Sequence, residues 1–229
     1  MGRIPSKQRA ESKAKTYIAR QILNQFFSPG ETVSENQLAD ELGMSRTPVR
    51  TALRELIAEG LLERVEPKGY VVAKLNGEDR QQVFLIRQRL EGLAAELAAM
   101  RVTPELVKSL ESLQVELAGI FKQWNRDHFT DYNERFHVAI AKASGNAYVE
   151  RFLRQCYWRS QLYIYSYDTF FRTVSEIQEQ SESGAYGFSY YEHGVITEAI
   201  LKGRPKAARE AMEKHIWSSY ESLNHEVKH

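Results

Sequence analysis

Cysteine is almost absent from this chain. Cys156 is the only one in 229 residues, so no disulfide can close within the chain, and the cytoplasm is the expected compartment. It stands in an apolar and aromatic stretch, where a lone thiol reads as a small core residue rather than a nucleophile. Long hydrophobic runs are missing as well. None approaches the length of a membrane span, and residues 1–15 lack the apolar block of a signal peptide, so no membrane partner is expected. Strand signals are scarce beyond residue 76, and no internal repeat is found. Net charge is only +1, but it is unevenly placed: residues 1–75 hold twelve Lys and Arg against nine Asp and Glu, and the remainder nineteen against twenty-one. That asymmetry fits a DNA-binding front end on a neutral or acidic body, although surface charge drifts this far by chance.

Hydrophobic content of 42% and charged content of 27% are ordinary for a soluble globular protein, and the length suits one large domain or two modest ones. The most informative stretch is SENQLADELGMSRTPVRTALREL, residues 34–56. Ser34 followed by Gln37 forms a capping box, Leu38, Ala39 and Leu42 an apolar stripe, and Gly43 a tight turn. Ser45 can cap a second helix, with Pro48 in its first turn. Val49, Ala52, Leu53, Leu56 and Ile57 then share one face, while Arg46, Arg50 and Arg54 recur every four residues on another. Two helices meeting at a glycine, the second opening on a basic face, are the layout of a helix-turn-helix.

Around it, residues 1–15 are polar and basic and read as a mobile arm. Residues 12–27 show helical spacing and stop at Ser28-Pro29-Gly30. Residues 61–65 and 70–74 look like two strands joined by Glu66-Pro67-Lys68-Gly69, which completes a winged helix-turn-helix over residues 16–75. Asn76-Gly77 marks the boundary to an all-α helical bundle over residues 76–229, with helices at 79–102, 104–124, 127–144, 147–167, 188–202 and 205–227. Residues 168–187 are ambiguous. The aromatic residues Tyr157, Trp158, Tyr163, Tyr165, Tyr167, Phe170 and Phe171 line a core or a ligand cavity.

The run SPGETVSENQLADELGMSRTPVRTALRELIAEGLLERVEPKGYVV resembles the GntR family of bacterial transcription regulators. The segments LIRQRLEGLAAELAA, NERFHVAIAKASGN and EHGVITEAILKG with AMEKHI resemble, in order, the FCD effector domain of the FadR-type branch. The resemblance implies a homodimer, and no enzyme, that binds a palindromic operator and releases or remodels it when a small metabolite enters the helical domain; repression is the family norm. It implies that Arg46 and Arg50 contact the operator, that Ser45 and Thr47 touch phosphate or base, and that Lys68 and Gly69 form the wing tip at the minor groove. Arginine at such positions suits bidentate reading of guanine. Arg54 stays open, and Asn36 stands where better-characterised relatives carry an arginine.

Asn133 and His137 are four residues apart on one expected helix face. His193 and His215 match the two later histidines of the FCD metal site, so the resemblance implies a divalent metal, Zn²⁺ or Ni²⁺, on His137, His193 and His215 with Asn133 in place of the usual aspartate. Arg87 and Arg159 match arginines facing the effector pocket, which favours a carboxylate effector; the rival reading pairs Arg87 with Glu91 one turn on. His225 and His229 read as bland. Two other functions stay open: a metal-dependent enzyme using the histidines, against which no carboxylate base stands at a recognisable spacing, and an architectural DNA-binding protein whose helical part only dimerises.

Overall fold

The structure is a computed structural model that describes residues 6–166 and 188–223. They form two compact units, residues 6–80 with 155–166, and residues 81–154 with 188–223. The first unit therefore takes in a length of chain from beyond Asn76, which the sequence pattern assigns to the helical bundle.

The first unit begins with α1 (Ser6–Leu23). Residues 6–15 are therefore helix and not a free arm. The buried seam Ala14, Ile18, Ile22 starts a turn before the first aromatic residue, and Lys15 Nζ bonds Glu59 at 2.6 Å. The helix stops at Leu23, short of residue 27, and Gln25 takes a positive φ of 61°, which leaves Phe26 exposed. Next come β1 (Thr32–Val33), α2 (Glu35–Leu42) and α3 (Arg46–Ala58). Ser34 caps α2 by accepting from Gln37 N at 3.3 Å, but Gln37's amide turns to Glu41 at 3.0 Å, so the capping box is half made. Gly43 closes α2 with φ 60°, the left-handed conformation glycine adopts without a Cβ clash. Ser45 occupies the N-cap position of α3 with an extended backbone and no side-chain cap bond.

Strands β2 (Leu62–Val65) and β3 (Gly69–Val72) form the expected hairpin, and β1 joins it as a third strand that the short polar sequence did not announce. The antiparallel order is β1-β3-β2, with Val33 opposite Tyr70 and Leu62 opposite Val72. Val49, Ala52, Leu53 and Leu56 of α3 close the core beneath it.

The second unit holds most of α4 (Gly77–Ala99), then α5 (Pro104–Lys122), α6 (Arg126–Ala143), the start of α7 (Ala147–Ser166), α8 (Phe188–Leu201) and α9 (Pro205–Ser222). Thr103 and Asn125 cap α5 and α6 through their side chains, at 3.2 and 2.9 Å. Leu106, Leu110, Leu113 and Leu117 give α5 its buried seam. On α4 the inward face differs from the apolar pattern. Phe84, Ala94 and Ala98 are buried, but so are Arg87 and Glu91, whereas Ile86 and Leu93 are exposed. Gly92 lets α9 lie close: a Cβ there would meet Glu213 Cγ at 2.6 Å, while Gln88 and Arg89 hold Glu213 at 3.1 Å each. Tyr157, Trp158, Tyr163 and Tyr165 are buried as a core would require. Residues 1–5, the ambiguous 168–187, and His225 and His229 lie outside the described residues. No described helix is long and apolar enough to cross a membrane.

Candidate nucleic-acid interface and metal centre

α3 opens on an exposed basic face. Arg46 is its first residue and Arg50 follows one turn later, so both guanidiniums leave the same side near the helix N-terminus. Val49, one residue before Arg50, is fully buried, which fixes the rotation of the helix and keeps the arginines outside. Ser45, Arg46, Thr47 and Arg50 are all exposed, as is Arg54. At the wing, Lys68 is exposed and Gly69 begins β3 with φ 86°, a conformation that makes the tight return possible. Both arginines meet a residue the sequence reading passed over: Arg46 Nε and Arg50 Nη2 donate to Glu35 Oε1 at 3.0 and 2.8 Å, and Arg50 Nε to Oε2 at 3.0 Å. The signal was the acidic residue beside Asn36 at the start of α2.

In the second unit three helices bring His137, His193 and His215 together. One ring nitrogen from each lies within 4.8 Å of the others, and all three rings are buried. His193 Nε2 is 3.2 Å from His215 Nε2, close to the roughly 3.3 Å between neighbouring ligands on a tetrahedral zinc. Each Nδ1 is engaged outward: His137 with Glu91, His193 with the Tyr132 hydroxyl at 2.9 Å, and His215 with Glu192 at 2.8 Å. A carboxylate on Nδ1 fixes the tautomer that turns a bare Nε2 inward, which is what a metal requires. The donor set thus fits a divalent ion. Arg87 Nη2 reaches to 3.5 Å from His137 Nε2, and Arg87 Nε donates to Glu91 Oε1 at 2.5 Å. Arg87 is thus paired with Glu91 and also lies beside His137. Asn133, one turn before His137 on α6, is half-buried.

Burial pushes the pKa of His137 down to about 4 against the pull of Glu91, and it pushes His193 well below its usual value, so both rings stay neutral and able to ligate. Burial pushes Glu91 upward, but the charge of Arg87 and the contact with His137 outweigh it and hold the carboxyl down at about 2. Glu91 was expected only as a partner of Arg87; its contact with His137, and the parts of Tyr132 and Glu192, were missed because those histidines lie on other helices. Glu192 stood beside a singled-out histidine without a spacing of its own.

A winged unit with exposed arginines at the start of α3, and a helical unit with a three-histidine centre, match two family models: "Bacterial regulatory proteins, gntR family" over residues 10–72 and the FCD domain over residues 82–217. The chain belongs to the GntR family. Like other GntR-family proteins with an FCD domain it is a DNA-binding transcription regulator and not an enzyme. It is 30% identical to the "Probable D-xylose utilization operon transcriptional repressor" of Paenarthrobacter nicotinovorans, over 90% of this chain and 84% of that one. The uncharacterised regulator YdhC of Bacillus subtilis is 31% identical over 59% of this chain and 61% of its own length, so the alignment spans under two thirds of that relative. Among solved structures, Escherichia coli McbR/YncC shares the fold with a TM-score of 0.73 at 21% identity, covering 93% of this chain and 97% of that one.

Within this GntR-family chain, one expected effector residue is placed differently. Arg159 belongs to the unit that carries the helix-turn-helix, and the histidines to the other. Its Nε donates to Asp79 Oδ2 and its Nη2 to the Lys74 carbonyl, both at 2.7 Å, and Nη1 reaches the Gly60 carbonyl at 3.4 Å. Those bonds commit the guanidinium to the chain leaving α3 and the wing. The long arginine side chain found two backbone carbonyls and a carboxylate, partners that a helical spacing could not disclose.

Proposed function

We propose that this regulator binds a palindromic operator as a homodimer and that an organic acid controls it through a metal centre in the helical unit. Arg46 and Arg50 read base edges in the major groove, Ser45 and Thr47 contact phosphate, and Lys68 and Gly69 bring the wing to the minor groove. Exposure of Ser45, Arg46, Thr47, Arg50 and Lys68 on one compact unit supports this assignment. Homodimerisation is supported by the apolar flank of α4, where Leu85, Ile86 and Leu93 remain exposed, with Met100 just beyond its end and Tyr148 and Phe152 at the start of α7. Repression and a cytoplasmic setting follow the family norm.

The observation that carries the control mechanism is the convergence of three buried histidine nitrogens beside a buried arginine. His137, His193 and His215 hold a Zn²⁺ or Ni²⁺ ion, with Asn133 as a neutral fourth donor. The bound ion supplies a positive centre that draws a carboxylate oxygen. Arg87 clamps that carboxylate from the α4 side, while Glu91 holds the arginine and His137 in register. Metal analysis of purified protein, with thermal melts against a panel of organic acids, tests this. Stoichiometric metal, and a melting shift by an acid that is lost in His137→Ala, are expected; no metal and no shift, with unaltered DNA binding, would leave a purely architectural regulator. For DNA, Arg46→Ala is expected to cost about 1–3 kcal/mol of specific affinity in a gel shift.

A further inference from the structure

Two arginines at the start of α3 share a single carboxylate that comes from another helix. Glu35 is the first residue of α2, behind the Ser34 cap, where a negative charge is favoured by the helix dipole. It accepts one bond from Arg46 and two from Arg50. Its side chain is only 14% exposed, against 62% and 45% for the arginines, so the carboxylate lies beneath and the guanidiniums project past it. On Arg46 only Nε is engaged, and on Arg50 the Nε–Nη2 edge. Both Nη groups of Arg46 and the Nη1 group of Arg50 make no hydrogen bond among the described residues. The bond to Arg50, then that to Arg46, outweighs partial burial and holds the carboxyl below its usual range, so Glu35 is ionised at neutral pH.

We propose that Glu35 is a positioning residue that sets the specificity of DNA reading, by presenting the outer guanidinium ends of Arg46 and Arg50 to base edges and cancelling one of their two charges. This rests on the reading of Arg46 and Arg50 as base-contacting residues. A guanidinium free to swing takes any phosphate within reach, and each extra phosphate contact strengthens binding to every sequence alike. A guanidinium held on its Nε side keeps the planar fork that matches guanine and loses less freedom on binding. The shared carboxylate therefore lowers non-specific attraction and raises selectivity, from a site that touches no base itself.

The test compares full-length wild type, Glu35→Gln and Glu35→Asp on two duplexes of equal length across a salt series. One duplex is selected from a random pool by the wild-type protein, and the other is unrelated. Glu35→Gln is expected to bind the unrelated duplex more tightly, with a log-log salt slope steeper by about one per protomer, and to lose roughly ten-fold in the ratio of specific to non-specific affinity. Glu35→Asp keeps the charge but not the reach, so its salt slope stays at the wild-type value while the ratio falls. A Glu35→Gln protein that melts earlier yet keeps wild-type ratio and slope would show that the carboxylate only ties α2 to α3, and would overturn the proposal. Arg46→Ala and Arg50→Ala on the same duplexes separate the two failures. If they discriminate as wild type does, the base-reading assignment itself falls; if they lose selectivity while Glu35→Gln keeps it, only the role of Glu35 falls.

Discussion

Glu91 is the residue on which the helical unit's chemistry turns. It sits one turn after Arg87 on α4, both side chains at 2% exposure or less, and it touches both that guanidinium and His137. A buried ion pair of this kind adds little over a well-packed apolar pair, but removing one partner strands the other charge. Glu91→Gln keeps the shape and deletes the charge. It is expected to destabilise the metal-free protein by about 3–5 kcal/mol, read as a fall in the denaturant midpoint. A shift under about 1 kcal/mol would mean that water or another group carries the arginine's charge. The histidines themselves were legible as residues, because His137 shares a helix face with Asn133 and the later pair follows the family order. Their outward partners were not, since a bond from α6 to α4 or from α9 to α8 has no fixed separation along the chain.

At the scale of the element, the contact between α4 and α9 depends on Gly92. Replacing it with alanine puts a Cβ 2.6 Å from Glu213 Cγ and 3.2 Å from Arg209 Cγ, so the α9 side chains must give way, and the better helix propensity of alanine offsets up to about 1 kcal/mol of that. Gly92→Val adds two methyl groups at the same crowded point. It is expected to cost about 1–3 kcal/mol by overpacking, and more than Gly92→Ala, both measured by chemical denaturation. Equal losses in the two variants would place the strain in the backbone rather than in the contact. The same helix shows how far a pattern carries. Period 3.6 identified α4 correctly, yet the apolar stripe through Ile86 and Leu93 points outward and the charged pair inward. The period names a set of faces; which face turns in depends on what packs against it.

For the whole molecule, the buried histidines make stability depend on pH. His137 titrates near 4 when folded and at its ordinary 6.5 when unfolded, and His193 is displaced in the same direction. Between those values the unfolded chain binds more protons, so stability declines as pH falls from about 6.5 toward 4. Glu91, held at about 2 against an ordinary 4.5, adds a loss below pH 4.5. Melting temperatures of chelator-treated protein are expected to fall steadily between pH 7 and 5; a flat profile would mean that the rings are protonated or hydrated in the folded state. What the sequence determined alone was local: helix caps and turns at Ser34 and Gly43, the exposed arginines of α3, the wing, and the helical character of the rest. These depend on neighbours within four residues, whose geometry the backbone dictates. Only the tertiary structure decided that Glu35 holds Arg46 and Arg50, that Glu91, Tyr132 and Glu192 engage the histidines, and that Arg159 is spent on Asp79 and two carbonyls. Those pairings arise where separate helices meet, and burial makes a polar group find whichever partner lies nearest in space, however distant it is along the chain.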